Sequence, residues 1–519
     1  MSLLVDGSHR IVPERLRRYR HVALAFLCLS LVTLSIDATS LVIALPDIQR
    51  NLHASNSQQQ WICASYTIVF ACLLLPAGAI GDRYGRDKTL AAGLAWFGVF
   101  SLLAALSRSP GELIGARVAM GIGAAAIMPA TMSILSQTVF PDPKERLRAI
   151  SIWAAVIGSG LALGPVVGGV LVKYFGWNAV FLINVPIVVI ALIGGHLFIP
   201  PSRAPGRRRN DPVGNVLCIV GLVALMVAVI EAPNVGWSHP SIVLAFTIAV
   251  VTLALFARWE HRNPEPMLDL ALFRNLRFTA ANLAMTLAFF ALMGALFLLT
   301  QYMQNVLSYS PAFAGLMTLP LTLTLIIGAP ISAILDRRVG TRVAVATAFT
   351  LITISLILLA TFGTGTEKWQ VLVTSVILGT GLGLAMTPTT NAIQGALPNE
   401  KAGIGSAMND MTRQVGGALG IAVLGSVMNT IYIAHITAFE QQLTPALAAT
   451  LEPEALDEAR KSMSAALKSA GQFPGAQEAV RAAFVSGQRV AMIVAAVATA
   501  AGLLIVLRYL PARARSELS

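Results

Sequence analysis

Fourteen apolar runs dictate what this chain can become. They cover residues 21–45, 58–80, 90–107, 111–138, 149–172, 177–199, 213–231, 240–258, 278–300, 312–334, 342–362, 369–391, 403–430 and 488–508. Each is close to the ~20 residues that a helix needs to cross a hydrocarbon core. Composition agrees: 56% of the 519 residues are hydrophobic and 12% are charged, against about 25% charge in a soluble chain. The expected fold class is therefore an all-α polytopic membrane protein with fourteen transmembrane helices. Cys28, Cys63, Cys72 and Cys218 all fall inside apolar runs. They show no metal-ligand spacing and read as small buried residues. The polar, basic stretch 1–20 lacks the short apolar core and small-residue cleavage site of a secretory signal, so the first run is expected to stay as a helix.

The net charge of +12 could suggest a nucleic-acid partner, but its placement argues against one. Alternating the runs from a cytoplasmic N-terminus puts 26 of the 37 basic residues in cytoplasmic segments, the bias expected of positive-inside topology. Three others, Arg117, Arg413 and Arg489, fall within spans. This asymmetry fits an even number of spans with both termini inside. The stretch Leu335-Asp336-Arg-Arg338-Val-Gly340-Thr-Arg342 weakly echoes an earlier loop at 78–90 and, like it, follows the second run of its half. That points to two six-helix halves with an inserted pair between them. The expected division is 1–200, 201–275 with runs 7 and 8, and 276–519 with an external stretch at 431–487. Within that stretch, Pro453–Arg460 has the proline and early acids of a short surface helix.

The earlier loop reads Gly78-Ala-Ile-Gly-Asp82-Arg83-Tyr-Gly85-Arg86-Asp-Lys88. On composition alone it is either a positive loop that orients two helices or something more specific. Its order G-x-x-x-D-R-x-G-R-x-K resembles the signature loop of the major facilitator superfamily. Other stretches are similar to that superfamily's 14-helix drug:proton antiporter branch: Asp37-Ala-Thr39 through Leu45-Pro46, Leu113 to Gly121 around Arg117, Trp177, Phe181-Leu-Ile-Asn184-Val-Pro186, and Arg413-Gln-Val-Gly416-Gly417. Asn178 stands where the family usually has arginine. Gly160, Gly164, Pro165, Gly168 and Gly169 resemble the branch's antiporter motif. Spaced four apart, Gly160, Gly164 and Gly168 make a smooth face for a tight helix crossing, and Pro165 favours a kink. The resemblance adds a hinge and seal between the halves. It also implies that Asp82 docks on the N-terminal end of span 13.

Asp37 is an acid inside a span, which marks it as functional or as half of a structural ion pair. Arg117, at matching depth, is its expected partner. No histidine lies mid-span, so proton carriage falls to carboxylates. Asp410 and Arg413 share a face of span 13 as either a structural pair or a coupling site. Glu231 is interfacial or a lure for cations at the external mouth. Trp61, Tyr66, Trp153, Phe289, Phe290 and Phe297 are either packing residues or the wall of a cavity for flat cations. No P-loop is present, so ATP drive is not expected.

The sequence therefore points to a non-enzymatic, proton-coupled exporter of lipophilic, cationic drugs in a bacterial cytoplasmic membrane. It is expected to work by alternating access as a monomer, with protons as coupling ion, no cofactor or metal, and small molecules and the lipid bilayer as partners. Export of a lipid or a self-made antibiotic is the rival on the same fold. A non-transporting sensor is the rival from another class, and Asp37 and Arg117 count against it.

Overall fold

The computed structural model describes residues 14–140, 142–203, 211–264, 266, 268–396, 402–442, 458–470 and 476–510. Among the described residues fourteen helices are long and apolar enough to span a bilayer: α1 Tyr19–Leu52, α2 Asn56–Tyr84, α3 Arg86–Ala105, α4 Pro110–Val139, α5 Arg148–Phe175, α6 Ala179–Phe198 and α7 Pro212–Val235, then α8 Pro240–Arg262, α9 Leu276–Val306, α10 Pro311–Val339, α11 Thr341–Ala360, α12 Lys368–Gln394, α13 Ala407–Phe439 and α14 Ala476–Tyr509. Local chemistry sets many of the starts. Ser109, Asp211, His239 and Ser310 each accept a bond from a first-turn amide, and each is followed by proline at the first helical position. That pairing satisfies an orphan donor and places proline where its missing N–H costs nothing. Two tight turns depend on glycine. Gly85 (φ 118°) and Gly340 (φ 89°) end α2 and α10, a backbone region that side chains resist.

The packing repeats with an offset of eight helices. In the first half α1 packs on α5 and α6, α2 on α4, and α3 on α4 and α6. In the second, α9 packs on α13 and α14, α10 on α12, and α11 on α12 and α14. The two broadest contacts between the halves are α5 with α10 and α2 with α13, and α1 also touches α9 and α10. The chain is thus two six-helix bundles plus an inserted pair. Of that pair, α7 rests on both α2 and α13, the seam between the halves, while α8 packs on α7. The even count brings the start of α1 and the end of α14 to one face, shared with Arg83, Arg86, Arg337 and Arg338 at the α2–α3 and α10–α11 turns. That end is called the basic face below.

Several helices outrun their apolar stretches. The helix containing α13 continues to Gln442, and α14 begins at Ala476, so much of the expected external segment 431–487 is helical extension. Met463–Ala470 adds a short helix there. Of the surface helix expected at 453–460, residues 458–460 are helical and 453–457 lie outside the described residues.

Candidate functional site

A cavity of about 740 Å³ lies between the two bundles. Its wall takes residues from α1, α2, α4 and α5 on one side and from α9, α10, α12 and α13 on the other. Ser151, Ala333, Asn391 and Asp410 line it within roughly two helical turns of the basic face. Toward the opposite face the halves meet. Gln304 Nε2 donates to the Ile43 carbonyl (2.9 Å) and Asn56 Nδ2 to Asn429 Oδ1 (2.9 Å). At the α5–α10 seam a Cβ on Gly169 would sit 2.5 Å from the Pro311 carbonyl oxygen, and one on Gly315 would collide with the Pro165 carbonyl. Only glycine lets the two backbones approach this closely.

The structure brings Asp37 and Arg117 together in the first bundle. Both are buried, and Arg117 Nη1 donates to Asp37 Oδ2 at 2.5 Å. Arg117 also donates from Nε to the Ile62 carbonyl (3.1 Å), and its guanidinium lies 4.1 Å from the centre of the Tyr66 ring. Asn184 of α6 completes the far side: its Nδ2 donates to Asp37 Oδ1 (3.2 Å) and to Ser101 Oγ (3.1 Å), and Ser101 donates to the Phe181 carbonyl. A charge this deep persists only when paired and hydrogen-bonded, and four helices besides α1 supply those partners. Arg117 and Tyr66 also line the cavity, so whatever enters it meets the outer side of this network. Asn184 was quoted in a sequence motif, but an uncharged amide gives no sign of what it will contact.

Asp410 and Arg413 line the cavity from α13, in the other bundle. Their closest approach is long, 3.9 Å. Arg413 also donates to Thr390 Oγ1 (3.3 Å) and lies 5.5 Å from the Phe289 ring centre. Of the aromatic candidates, Tyr66 and Phe289 reach the cavity wall. Trp61, Trp153, Phe290 and Phe297 are not among its lining residues, and neither is Glu231. Trp153 is buried against Thr131 of α4, and Phe290 and Phe297 are core residues. Trp61 Nε1 donates to Glu231 Oε1 (2.8 Å), which ties α7 to α2. Glu231, expected to be interfacial or a lure for cations, here clasps two helices together.

The motif glycines divide by neighbour. Gly160, Gly164 and Gly168 press on Ser35, Thr39 and Ser40 of α1 within one bundle, whereas Pro165 and Gly169 face α10 across the seam. In the signature loop Gly78 lies beside Pro129 and Arg83 over the Tyr84 ring at 5.2 Å. Asp82 accepts from Arg86 Nε at 2.8 Å, and the Arg86 amide donates to the Ser202 carbonyl at 2.8 Å. Among the described residues these partners belong to the first bundle or, for Ser202, to the segment that leaves it. The side chains of Gly403, Ile404 and Ser406, near the expected dock, lie outside the description.

Two repeated helical bundles closing on a central, partly polar cavity define a class: a polytopic membrane protein whose halves share one internal site. The sequence profile described as the Major Facilitator Superfamily matches residues 26–421, and the chain belongs to that family. It is 34% identical over 501 residues to the "Multidrug efflux pump LfrA" of Mycolicibacterium smegmatis, covering 96% of this chain and 97% of that one. It is 34% identical over 480 residues to the "Methyl viologen resistance protein SmvA" of Salmonella typhimurium, covering 91% and 94%. Among solved structures it resembles a bacterial homolog of the human lysosomal transporter Spinster in an inward-facing, occupied conformation. The TM-score is 0.67 at 16% identity, covering 96% of this chain and 97% of that one, which supports the fold.

Proposed function

We propose that this chain is a proton-coupled exporter of lipophilic, cationic drugs in a bacterial cytoplasmic membrane, with its basic face and both termini in the cytoplasm. The observation that carries the reading is the position of Arg117, which bonds buried Asp37 on one side and lines the cavity on the other. The relatives' names speak of multidrug efflux and of resistance to methyl viologen. A cation entering the cavity and a proton compete to neutralise the same buried Asp37 carboxylate. Competition of this kind makes occupancy by one depend on release of the other. The cavity serves as the drug site in a cytoplasm-facing state, and separation of the α5–α10 and α2–α13 seams exposes it to the outside. The protein acts as a monomer, with protons as the coupling ion and no cofactor.

The test is drug-dependent proton release from the purified chain and export from vesicles across a pH gradient. Asp37→Asn should abolish proton-driven export while leaving some drug binding, and Asp37→Glu should keep part of the activity. Wild-type export by Asp37→Asn would overturn this site assignment and turn attention to Asp410.

A further inference from the structure

Of the three in-span arginines, Arg117 and Arg413 face the central cavity. Arg489 of α14 does not. It is exposed on the outer wall of the second bundle, and its Nε donates to the Ala360 carbonyl, the last residue of α11, at 3.3 Å. Among the described residues it makes no ion pair. α11 has 20 residues, or about 30 Å of helix, which matches the hydrocarbon thickness. Ala360 therefore marks the hydrocarbon boundary away from the basic face, and Arg489 stands at the depth of lipid headgroups.

Beneath Arg489 a groove of about 650 Å³ runs between α11 and α14. Ala496 and Ala500, one turn apart, leave it hollow, while Ile357, Ile493 and Val497 line it. Ile493 and Val497 are 48% and 64% exposed, so no protein covers them. Ala500 lies eleven residues beyond Arg489, about 16 Å along the helix, which is the depth of one leaflet. A lipid-facing cation inside a span is costly unless an anion or the interface receives it. Here the cation heads an apolar channel one acyl chain deep.

We propose that this groove is a phospholipid site, with the phosphate on Arg489 and one acyl chain between α11 and α14 in the leaflet away from the basic face. Native mass spectrometry of the full-length chain, titrated with dipalmitoyl phosphatidylglycerol, tests it. Arg489→Gln should weaken binding at least about tenfold, the scale of one lost hydrogen bond to a charged group. Ala496→Leu, which fills the groove and leaves the cation, should also weaken it. Lys173→Gln, removing an exposed cation at the same face of the other bundle, should leave affinity unchanged. Unchanged affinity in Arg489→Gln or in Ala496→Leu would overturn the site, as would an equal loss in Lys173→Gln. A dimer that dissociates on Arg489→Gln would assign the groove to a second copy instead.

Discussion

The seam between α5 and α10 gives the sharpest test of how the halves part. An alanine at Gly169 would put its Cβ 2.5 Å from the Pro311 carbonyl oxygen, where ordinary contact begins at about 3.5 Å. The backbones must separate by roughly 1 Å, and overpacking on that scale costs about 1–3 kcal/mol. The cost falls only on the state in which the seam is shut, so the shut-to-open ratio should drop about 5- to 150-fold. Spin labels on Tyr174→Cys and Thr364→Cys, both exposed at that face, would read it by pulsed electron resonance as a longer mean distance. Gly315→Ala meets the Pro165 carbonyl and should shift the distribution the same way. Gly115→Ala, whose added carbon meets nothing within 4 Å, should not. A Gly169→Ala distribution identical to wild type would show that this contact does not move during transport.

Three further outcomes follow from the geometry. Asn184→Leu removes the donor to Asp37 and Ser101 and should cost about 1–3 kcal/mol, as stranded buried groups do; thermal unfolding of the purified chain measures it, and the pH profile of transport should move as well. Asp82→Asn loses the charge facing Arg86 and should slow turnover; wild-type rates would leave Asp82 as an orientation residue alone. Reporter fusions after Lys88, Lys461 and Arg513 should read inside, outside and inside, and a cytoplasmic signal at Lys461 would refute the topology.

Hydropathy located all fourteen spans because each must shield about the same thickness of lipid, and composition records that requirement directly. It did not locate helix ends beyond the lipid: the continuation to Gln442 is helical and mostly polar at its tip, and nothing apolar marks it. Within the site, Asp37 and Arg117 were legible because buried charge is rare and must be matched in depth. Trp61 and Glu231 were not, since an indole and a carboxylate 170 residues apart carry no mark of pairing. The glycine stripe announced close approach without naming the neighbour. Three of its members turned out to serve α1 while Pro165 and Gly169 serve the opposing bundle, because partner choice depends on topology rather than on local pattern.

The inserted pair has a mechanical consequence. Through α7 it grips the first bundle at Trp61, by the Glu231 clasp, and the second at Ser426, which donates to the Val229 carbonyl (2.6 Å), and at Asn429, which donates to Asn234 (3.2 Å). All of these bonds sit along the α2–α13 side, while among the described residues α5–α10 carries no such strap. Two bundles built as near equivalents would then part like the covers of a book bound along one edge. As a hypothesis, the mouth away from the basic face gapes widest beside Gly169 and least beside Asn56. Label pairs across both seams would decide it, and equal widening on the two sides would remove the binding edge.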